Sequence, residues 1–404
     1  MKIAIIGGGV TGLTAGYELT KRGHNVTIFE KEKTLGGLAA GFKQPHWEWY
    51  LEGGYHHLFT NDDAIIGLIE ELGLGDKLII RRPTTASYWQ GNIYPLDSAS
   101  SLLRFPGLSV FDRFRTGALL AGLKLNPFWQ PLEYVTAYRL FRLLGGKKSW
   151  DILWEPLMAG KFGELSQTIA ASWFWARIKK RTAQLAYIAG GFHTLVTALE
   201  QSIKNYGGTI HTNTTISDIR QENFQFDKVL LTVPTPIAAK LVPGLVLNIP
   251  HLHAQTLILE TKEPILNDVY WLNITDRSFP FLAVVAHTNF MDKKYYGGHH
   301  ITYFGNYLPT GHPYLSMTKE QLLKKFDLFI KKLNPTYHLS RITCHLFNGP
   351  FAQPVHQLHY SHIAPKLETP IPNVYLANLD SIYPWDRGTN YAVELGKRAA
   401  LAMI

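Results

Sequence analysis

The chain of 404 residues has one cysteine, Cys344, so no internal disulfide can form and a reducing compartment fits. Cys344 lies in the strand-like run Ile342-Thr343-Cys344-His345-Leu346, where a thiol packs as a small apolar group. No stretch reaches the roughly 18 apolar residues that a spanning helix needs. The first apolar run, Ile3-Ala4-Ile5-Ile6, is broken at once by glycines and has no leader cleavage pattern, so a cytoplasmic location is expected, with the inner face of a membrane also open to it. No G-x4-G-K-[ST] phosphate loop and no G-x-S-x-G nucleophile elbow occur. The 17 histidines include His251/His253, His299/His300 and His356/His359/His362. None has acidic or cysteine partners at a metal-site spacing, so no metal is expected and these histidines read as surface or packing residues. Repeats and low-complexity tracts are absent. A hydrophobic share of 46% and a charged share of 18% suit a stable chain of two globular domains.

What the chain has in excess is positive charge, +9 overall. Residues 99–185 hold 13 Lys/Arg against 5 Asp/Glu, together with 14 aromatics that include Trp129, Trp150, Trp154, Trp173 and Trp175. Three readings stay open: a helical region with an aromatic core and a solvated basic face, peripheral contact with an anionic membrane, or binding of an anionic substrate. Nucleic acid fits poorly, because no binding motif accompanies the charge.

The sharpest local signal is Gly7-Gly8-Gly9-Val10-Thr11-Gly12, a G-x-G-x-x-G run. A short apolar strand precedes it and a helix-like stretch, Leu13 to Arg22, follows. A second strand, Val26-Thr27-Ile28-Phe29, ends in Glu30, 18 residues past Gly12. Gly7 permits the tight turn, Gly9 lets the backbone approach a pyrophosphate, and Gly12 lets helix and strand pack closely. The helix N-terminus offers free N–H groups to phosphates, and Glu30 can accept from ribose hydroxyls. The turn serves any dinucleotide.

Glu30 is followed by Gly36-Gly37, an E-x5-G-G spacing. This resembles the FAD-binding signature of the superfamily of flavin amine oxidases, protoporphyrinogen oxidases, carotenoid desaturases and UDP-galactopyranose mutase. Two further stretches are similar to that family. One is Gly190-Gly191-Phe192 through Ile216 to the strand Val229–Val233. The other is Val374–Asp380, then Tyr383-Pro384-Trp385-Asp386-Arg387-Gly388-Thr389-Asn390, and a closing helix, Ala392 to Met403. Leu38 stands where many members have an arginine, and Asn378-Leu379-Asp380 where members have Gly-Asp. The cysteine motif for covalent flavin is missing, so non-covalent FAD is expected.

The resemblance implies an α/β, two-lobed plan: a Rossmann-type FAD-binding domain and a sheet-plus-helix substrate domain. The FAD-binding domain is read as discontinuous, 1–60, 186–250 and 350–404. A helical insert, 61–185, and a β-rich insert, 251–349, form the substrate domain. Asp62-Asp63 are read as the cap of a helix from Ala64 to Leu72, and Tyr134, Tyr138 and Phe141 as one helical face. The implied cofactor shell is Gly7, Gly9, Val10, Thr11, Gly12, Glu30, Lys31, Gly36, Gly37, Leu38, Gly54, Tyr55, Ile216, Asp380, Asp386, Arg387, Thr389 and Asn390.

Polar residues at strand ends facing the lobe boundary are candidates for chemistry. His56 and His57 follow Gly53-Gly54-Tyr55, and their side chains point opposite ways on an extended chain. His287 ends the apolar strand Phe281–Ala286. Tyr303 and Tyr307 share a face of a neighbouring strand, and Arg387 can stabilise negative charge on reduced flavin. The expected activity is hydride transfer from a largely apolar small molecule to FAD. The alternative resembles UDP-galactopyranose mutase, with Arg177, Lys179, Lys180 and Arg181 converging on a nucleotide sugar. Substrate, electron acceptor and oligomeric state are left open.

Overall fold

The computed structural model describes residues 1–221, 224–338 and 342–404. The first apolar run forms the strand Lys2–Ile6, with Ile3, Ala4, Ile5 and Ile6 all buried. Burial on both faces is what a central parallel strand requires. It pairs in parallel with Asn25–Phe29 on one side and Lys228–Leu231 on the other. Thr209–His211 and Val374–Leu376 add the outer strands, giving five parallel strands. Helix Thr389–Ala402 packs on helix Val10–Lys21, which also meets helix Phe192–Asn205. The packing is close at Gly396, where a Cβ would lie 2.6 Å from the Thr11 carbonyl oxygen.

The second sheet has seven strands, in the order Thr343–Pro354, His251–Thr261, His300–Leu308, Ala283–Ala286, Val269–Ile274, Thr84–Trp89 and Asn92–Pro95. Neighbours are antiparallel except Val269–Ile274 and Thr84–Trp89. The hairpin from Thr84 to Pro95 turns at Gln90 and Gly91, both at positive φ (48° and 81°), as the tightest hairpins require. It lends two strands from the otherwise helical insert to the β-rich one. Gln353 and Pro354, within the 350–404 segment assigned to the FAD-binding domain, end the edge strand of this sheet, paired with Leu252 and His251. The helix Asp63–Glu71 packs on the closing helix. One apolar core runs from Ile3 and Leu13 through to Tyr270 and Val285, so the two sheets share an interior.

Residues 99–185 surround an aromatic core of Phe141, Trp150, Phe162, Trp173, Phe174 and Trp175. Tyr134, Tyr138 and Phe141 do not share one helix. Thr136 caps a new helix at Ala137, and Tyr134 is left exposed on the preceding turn. Val110, Phe111, Phe114, Leu125, Phe128 and Leu143 are 64–79% exposed. No helix among the described residues is long and apolar enough to cross a membrane.

Candidate functional site

The glycine turn after Lys2–Ile6 is tight for steric reasons. Gly7 sits at φ +114°, and Thr232 donates to its carbonyl oxygen at 2.9 Å. A Cβ on Gly12 would lie 2.1 Å from the same oxygen. Gly9 differs: its Cβ would meet only Gly37 Cα, 4.0 Å away. Gly9 and Gly36 pair as an isolated parallel bridge, so the two glycine turns lie side by side. Helix Val10–Lys21 begins there without a side-chain cap. Its first N–H groups, at Val10, Thr11 and Gly12, have no partner within the helix.

Glu30 is buried, and its carboxylate accepts from Gly8 N–H at 2.7 Å and Glu32 N–H at 2.9 Å. Those bonds fix it at the mouth of the turn and leave further lone pairs for hydroxyl donors. Lys31 points to solvent and pairs with Glu32. Leu38 is 39% exposed and lies against Gly349, where a Cβ would be 2.9 Å from its Cδ2. Ile216 is half-buried on the side of the sheet formed by Ala4, Ile6, Val229 and Leu231.

The loop from Gly53 to His57 enters between the sheets. Tyr55 lies on the seven-stranded sheet at Gly305, where a Cβ would be 2.6 Å from its ring. Tyr303, Gly305 and Tyr307 alternate onto that face. His56 and His57 diverge. The first shares a 2.7 Å hydrogen bond with the Gly54 carbonyl, the second a 3.1 Å bond with the Tyr270 hydroxyl. Burial pushes them down to about 4 and about 3, so both are neutral near pH 7.

His287 is not at an open strand mouth. The turn Lys293–Tyr296 folds over it, leaving it 3% exposed and bonded to the Tyr296 hydroxyl at 2.8 Å. It belongs to a buried network around Glu52, a residue the sequence did not single out. The Glu52 carboxyl accepts from Tyr187 and from Phe192 N–H, both at 2.7 Å, and burial pushes it up to about 7. Its one visible signal was an acid directly before Gly53-Gly54.

The turn before the last helix gathers most of the charge. Arg387 donates to the Tyr307 hydroxyl and, at 3.0 Å, to Gln353 Oε1. Burial lowers its guanidinium to about 10, which leaves it charged. Asp386 accepts from Arg177 and from Trp173 Nε1. Burial would raise the Asp386 carboxyl, but Lys161 and then Arg177 override that and hold it well below the usual carboxylate range. Lys161, also missed in the sequence, lies 4.7 Å from the Tyr307 ring centroid and 4.9 Å from that of Trp173. Burial drives its ammonium well below the ordinary lysine value. His356 is 1% exposed, stands within the influence of Asp386 and Asp380, and has no hydrogen-bond partner on either ring nitrogen among the described residues.

Several expected ligands are otherwise engaged. Both Asp380 carboxylate oxygens contact His251 Nε2, at 2.8 and 2.9 Å, so His251 is a buried partner rather than a surface residue. The Asn390 side chain accepts from Ala64 and Ile65 N–H at 3.0 and 3.1 Å. It caps helix Asp63–Glu71, while Asp62, the expected cap, accepts from Phe59 N–H. Thr389 and Asn390 still begin their own helix after Gly388 with no side-chain cap. Of the four basic residues 177, 179, 180 and 181, Arg177 joins Asp386. Lys179 turns to the Lys124 carbonyl and Lys180 to the Asn61 carbonyl, while the Arg181 carbonyl accepts from Lys124.

The family described as flavin containing amine oxidoreductase matches residues 10–404. The chain belongs to this family. It is 26% identical over 283 residues to coproporphyrinogen III oxidase of Staphylococcus aureus, covering 57% of this chain and 60% of that protein. It is 27% identical over 174 residues to mitochondrial protoporphyrinogen oxidase of Nicotiana tabacum, covering 40% and 32%. The alignments thus span no more than about 60% of these relatives. A crystal structure of reduced UDP-galactopyranose mutase superposes with a TM-score of 0.75 at 17% identity, covering 100% of this chain and 96% of that one. An oxidoreductase from Methanosarcina mazei gives 0.74 at 18%, covering 100% of both chains. At these identities the likeness shows the fold: two lobes, one with a Rossmann-type sheet.

Membership of this family implies a flavin, and the chain's residues fit that group. Gly9, beside the Gly36-Gly37 turn, leaves room for a pyrophosphate, Glu30 is aimed at the same place, and His356 adds a buried polar ring without a partner among the described residues.

Proposed function

We propose that the chain binds FAD without a covalent link and oxidises a largely apolar small molecule held between the two sheets. The observation that carries this is the wall of Tyr55, Tyr303 and Tyr307, which ends at Arg387 and Lys161 beside the final turn. Bound FAD would supply the two-electron acceptor for a hydride. The chain supplies the rest. The aromatic wall excludes water and orients the substrate. Arg387 holds positive charge where negative charge develops. Burial weakens the Lys161 ammonium's hold on its proton, which suits it to proton transfer beside Tyr307. Asp386 stays ionised and fixes Arg177 beside Trp173.

Relatives are named as porphyrinogen oxidases, carotene desaturases and an amine oxidase. The aromatic wall supports the first two substrate classes over a cationic amine, because Arg177 already engages the Asp386 carboxylate. A nucleotide sugar is less well served, since Lys179 and Lys180 are bound to backbone carbonyls.

The test is to purify the protein, identify its flavin after denaturation, reduce it anaerobically and follow reoxidation by oxygen or a quinone. Release of FAD on denaturation and reoxidation by an added acceptor support the proposal. Absence of flavin, with none taken up on adding FAD, overturns it. Turnover of a nucleotide sugar with the flavin redox state unchanged transfers the assignment to the mutase-like chemistry.

The region 99–185 is proposed to rest on an anionic membrane surface. Support comes from Val110, Phe111 and Phe114 on one exposed side of helix Val110–Leu125, with Arg113 and Arg115 on the same helix and with Arg142 and Leu143 brought alongside it, where Arg115 donates to the Leu143 carbonyl oxygen.

A further inference from the structure

We infer that His46, Glu260 and His299 form a site for one divalent transition-metal ion of the zinc class. Their donor atoms lie within 4.8 Å of one another. His46 Nε2 is 2.5 Å from Glu260 Oε1, and His299 Nδ1 is 3.1 Å from the same oxygen. Tetrahedral ligands on bonds of roughly 2.0–2.1 Å stand about 3.3 Å apart, so small side-chain rotations seat an ion. Two imidazoles and one carboxylate are a donor set that zinc favours, with the fourth position left to water.

The hydrogen bonding inside the cluster is incomplete. Glu260 is 4% exposed, yet its Oε2 has no hydrogen-bond partner among the described residues. His299 Nδ1 lies close to the carboxylate but out of line for a hydrogen bond, and it too has no such partner. A buried carboxylate oxygen left without a donor is costly, and a cation removes that cost. Trp47 Nε1 and His345 Nε2 are further unpartnered buried atoms in the same aromatic cluster, where Trp47 meets both His46 and His345. The His46 side chain is 46% exposed, which gives an ion a path in from solvent.

The three ligands come from three separate segments. His46 lies between strands Gly41–Phe42 and Leu51–Glu52, Glu260 near the end of His251–Thr261, and His299 just before His300–Leu308. The first and third already touch: Glu48 N–H donates to the Tyr295 carbonyl, and a Cβ on Gly297 would be 2.6 Å from the His46 ring. An ion here ties the segment leading into Glu52 and the Gly53–His57 loop to the seven-stranded sheet. The site is separate from the proposed flavin site: His251, which holds Asp380, is at the opposite end of the Glu260 strand, roughly 30 Å away at about 3.4 Å per residue.

The test uses the flavin-loaded full chain, stripped with a chelator and titrated with Zn²⁺ by calorimetry and with Co²⁺ by visible absorption. One tight equivalent is expected, with the absorption of tetrahedral Co²⁺ and a rise in melting temperature on adding Zn²⁺. His46→Ala alters a half-exposed side chain and is expected to weaken that equivalent at least 10-fold, roughly as loss of a metal-supporting group does. Flavin content and the metal-free melting temperature serve as folding controls. Equal tight binding by His46→Ala and the parent, or no tight equivalent in the parent, overturns the assignment.

Discussion

The guanidinium of Arg387 meets the Tyr307 side chain twice: its carbon lies 4.9 Å from the ring centroid, and it donates to the hydroxyl. Arg387 belongs to the turn before the closing helix, and Tyr307 to a strand of the seven-stranded sheet. The pair therefore joins the two lobes at the point where the chemistry is proposed. Replacing Arg387 with Met removes the positive charge and keeps most of the volume. The flavin should become harder to reduce by tens of millivolts, about 30 mV for each 1.4 kcal/mol of lost stabilisation. Dye-equilibrated titration measures it, and an unchanged potential would place Arg387 away from the flavin.

Gly9 and Gly12 should separate cofactor binding from folding. A Cβ on Gly9 has only Gly37 Cα at 4.0 Å, so Gly9→Ala should keep its melting temperature and lose bound flavin. A Cβ on Gly12 would be 2.1 Å from a backbone oxygen, so Gly12→Ala should lose about 1–3 kcal/mol of stability as well. Flavin content and urea unfolding distinguish the two. Full flavin retention by Gly9→Ala would contradict the placement of the pyrophosphate.

Stability should fall on the acid side of neutrality. His56, His57 and His287 are pushed by burial to about 4, 3 and 3, so the native state refuses protons that the unfolded chain takes up below about pH 6.5. That stability is complete above 6.5 and is lost as pH falls toward those lower values. Glu52 acts in the opposite sense. Its folded value of about 7 exceeds the ordinary 4.5, so its contribution is present at low pH and lost as pH rises through 7. From these four groups alone the unfolded chain binds a net two more protons between about pH 6 and 5, a slope on the order of 3 kcal/mol per pH unit. Glu52→Gln should steepen it by about 1.4 kcal/mol per unit. Urea unfolding across this range checks both, and a flat profile would contradict the buried neutral histidines.

Asn390 should prove structural in its side chain. It caps helix Asp63–Glu71 through Ala64 and Ile65 N–H. Asn390→Ala should cost about 1 kcal/mol, the usual worth of a cap, and should retain flavin because its backbone is untouched. Loss of flavin at unchanged stability would reverse that reading.

Phe111 and Phe114 are 72% and 64% exposed. If helix Val110–Leu125 rests on a membrane, changing both to Ser should lower binding to anionic vesicles more than 10-fold, since each buried Phe is worth about 1.5–3 kcal/mol. Co-sedimentation with neutral and anionic vesicles measures this, and equal binding by the double variant removes the proposal.

Local periodicity made much of the fold legible. The helix Lys319–Leu333 carries apolar residues at helical spacing and starts where Thr318 and Gln321 make a reciprocal cap. The hairpin at Gln90-Gly91 likewise follows from local turn chemistry, a glycine at positive φ between two short strands. Reading failed where a side chain's partner lies far along the chain. Asn390 looked like a cofactor ligand and caps a helix more than 300 residues earlier. His287 looked like the polar end of a strand and is covered by the turn that follows.

By itself the sequence determined the dinucleotide turn, the flavin family and the presence of a parallel sheet. Those depend on short-range sterics: glycine where a Cβ would strike a carbonyl, and apolar runs that must be buried. Tertiary structure alone decided which polar groups meet. It set Glu52 among tyrosines, brought Lys161 and Asp386 together, left His356 without a partner, and carried His46 and His299 to Glu260. Such encounters depend on how strands from distant segments register in one sheet, and no spacing along the chain encodes that register.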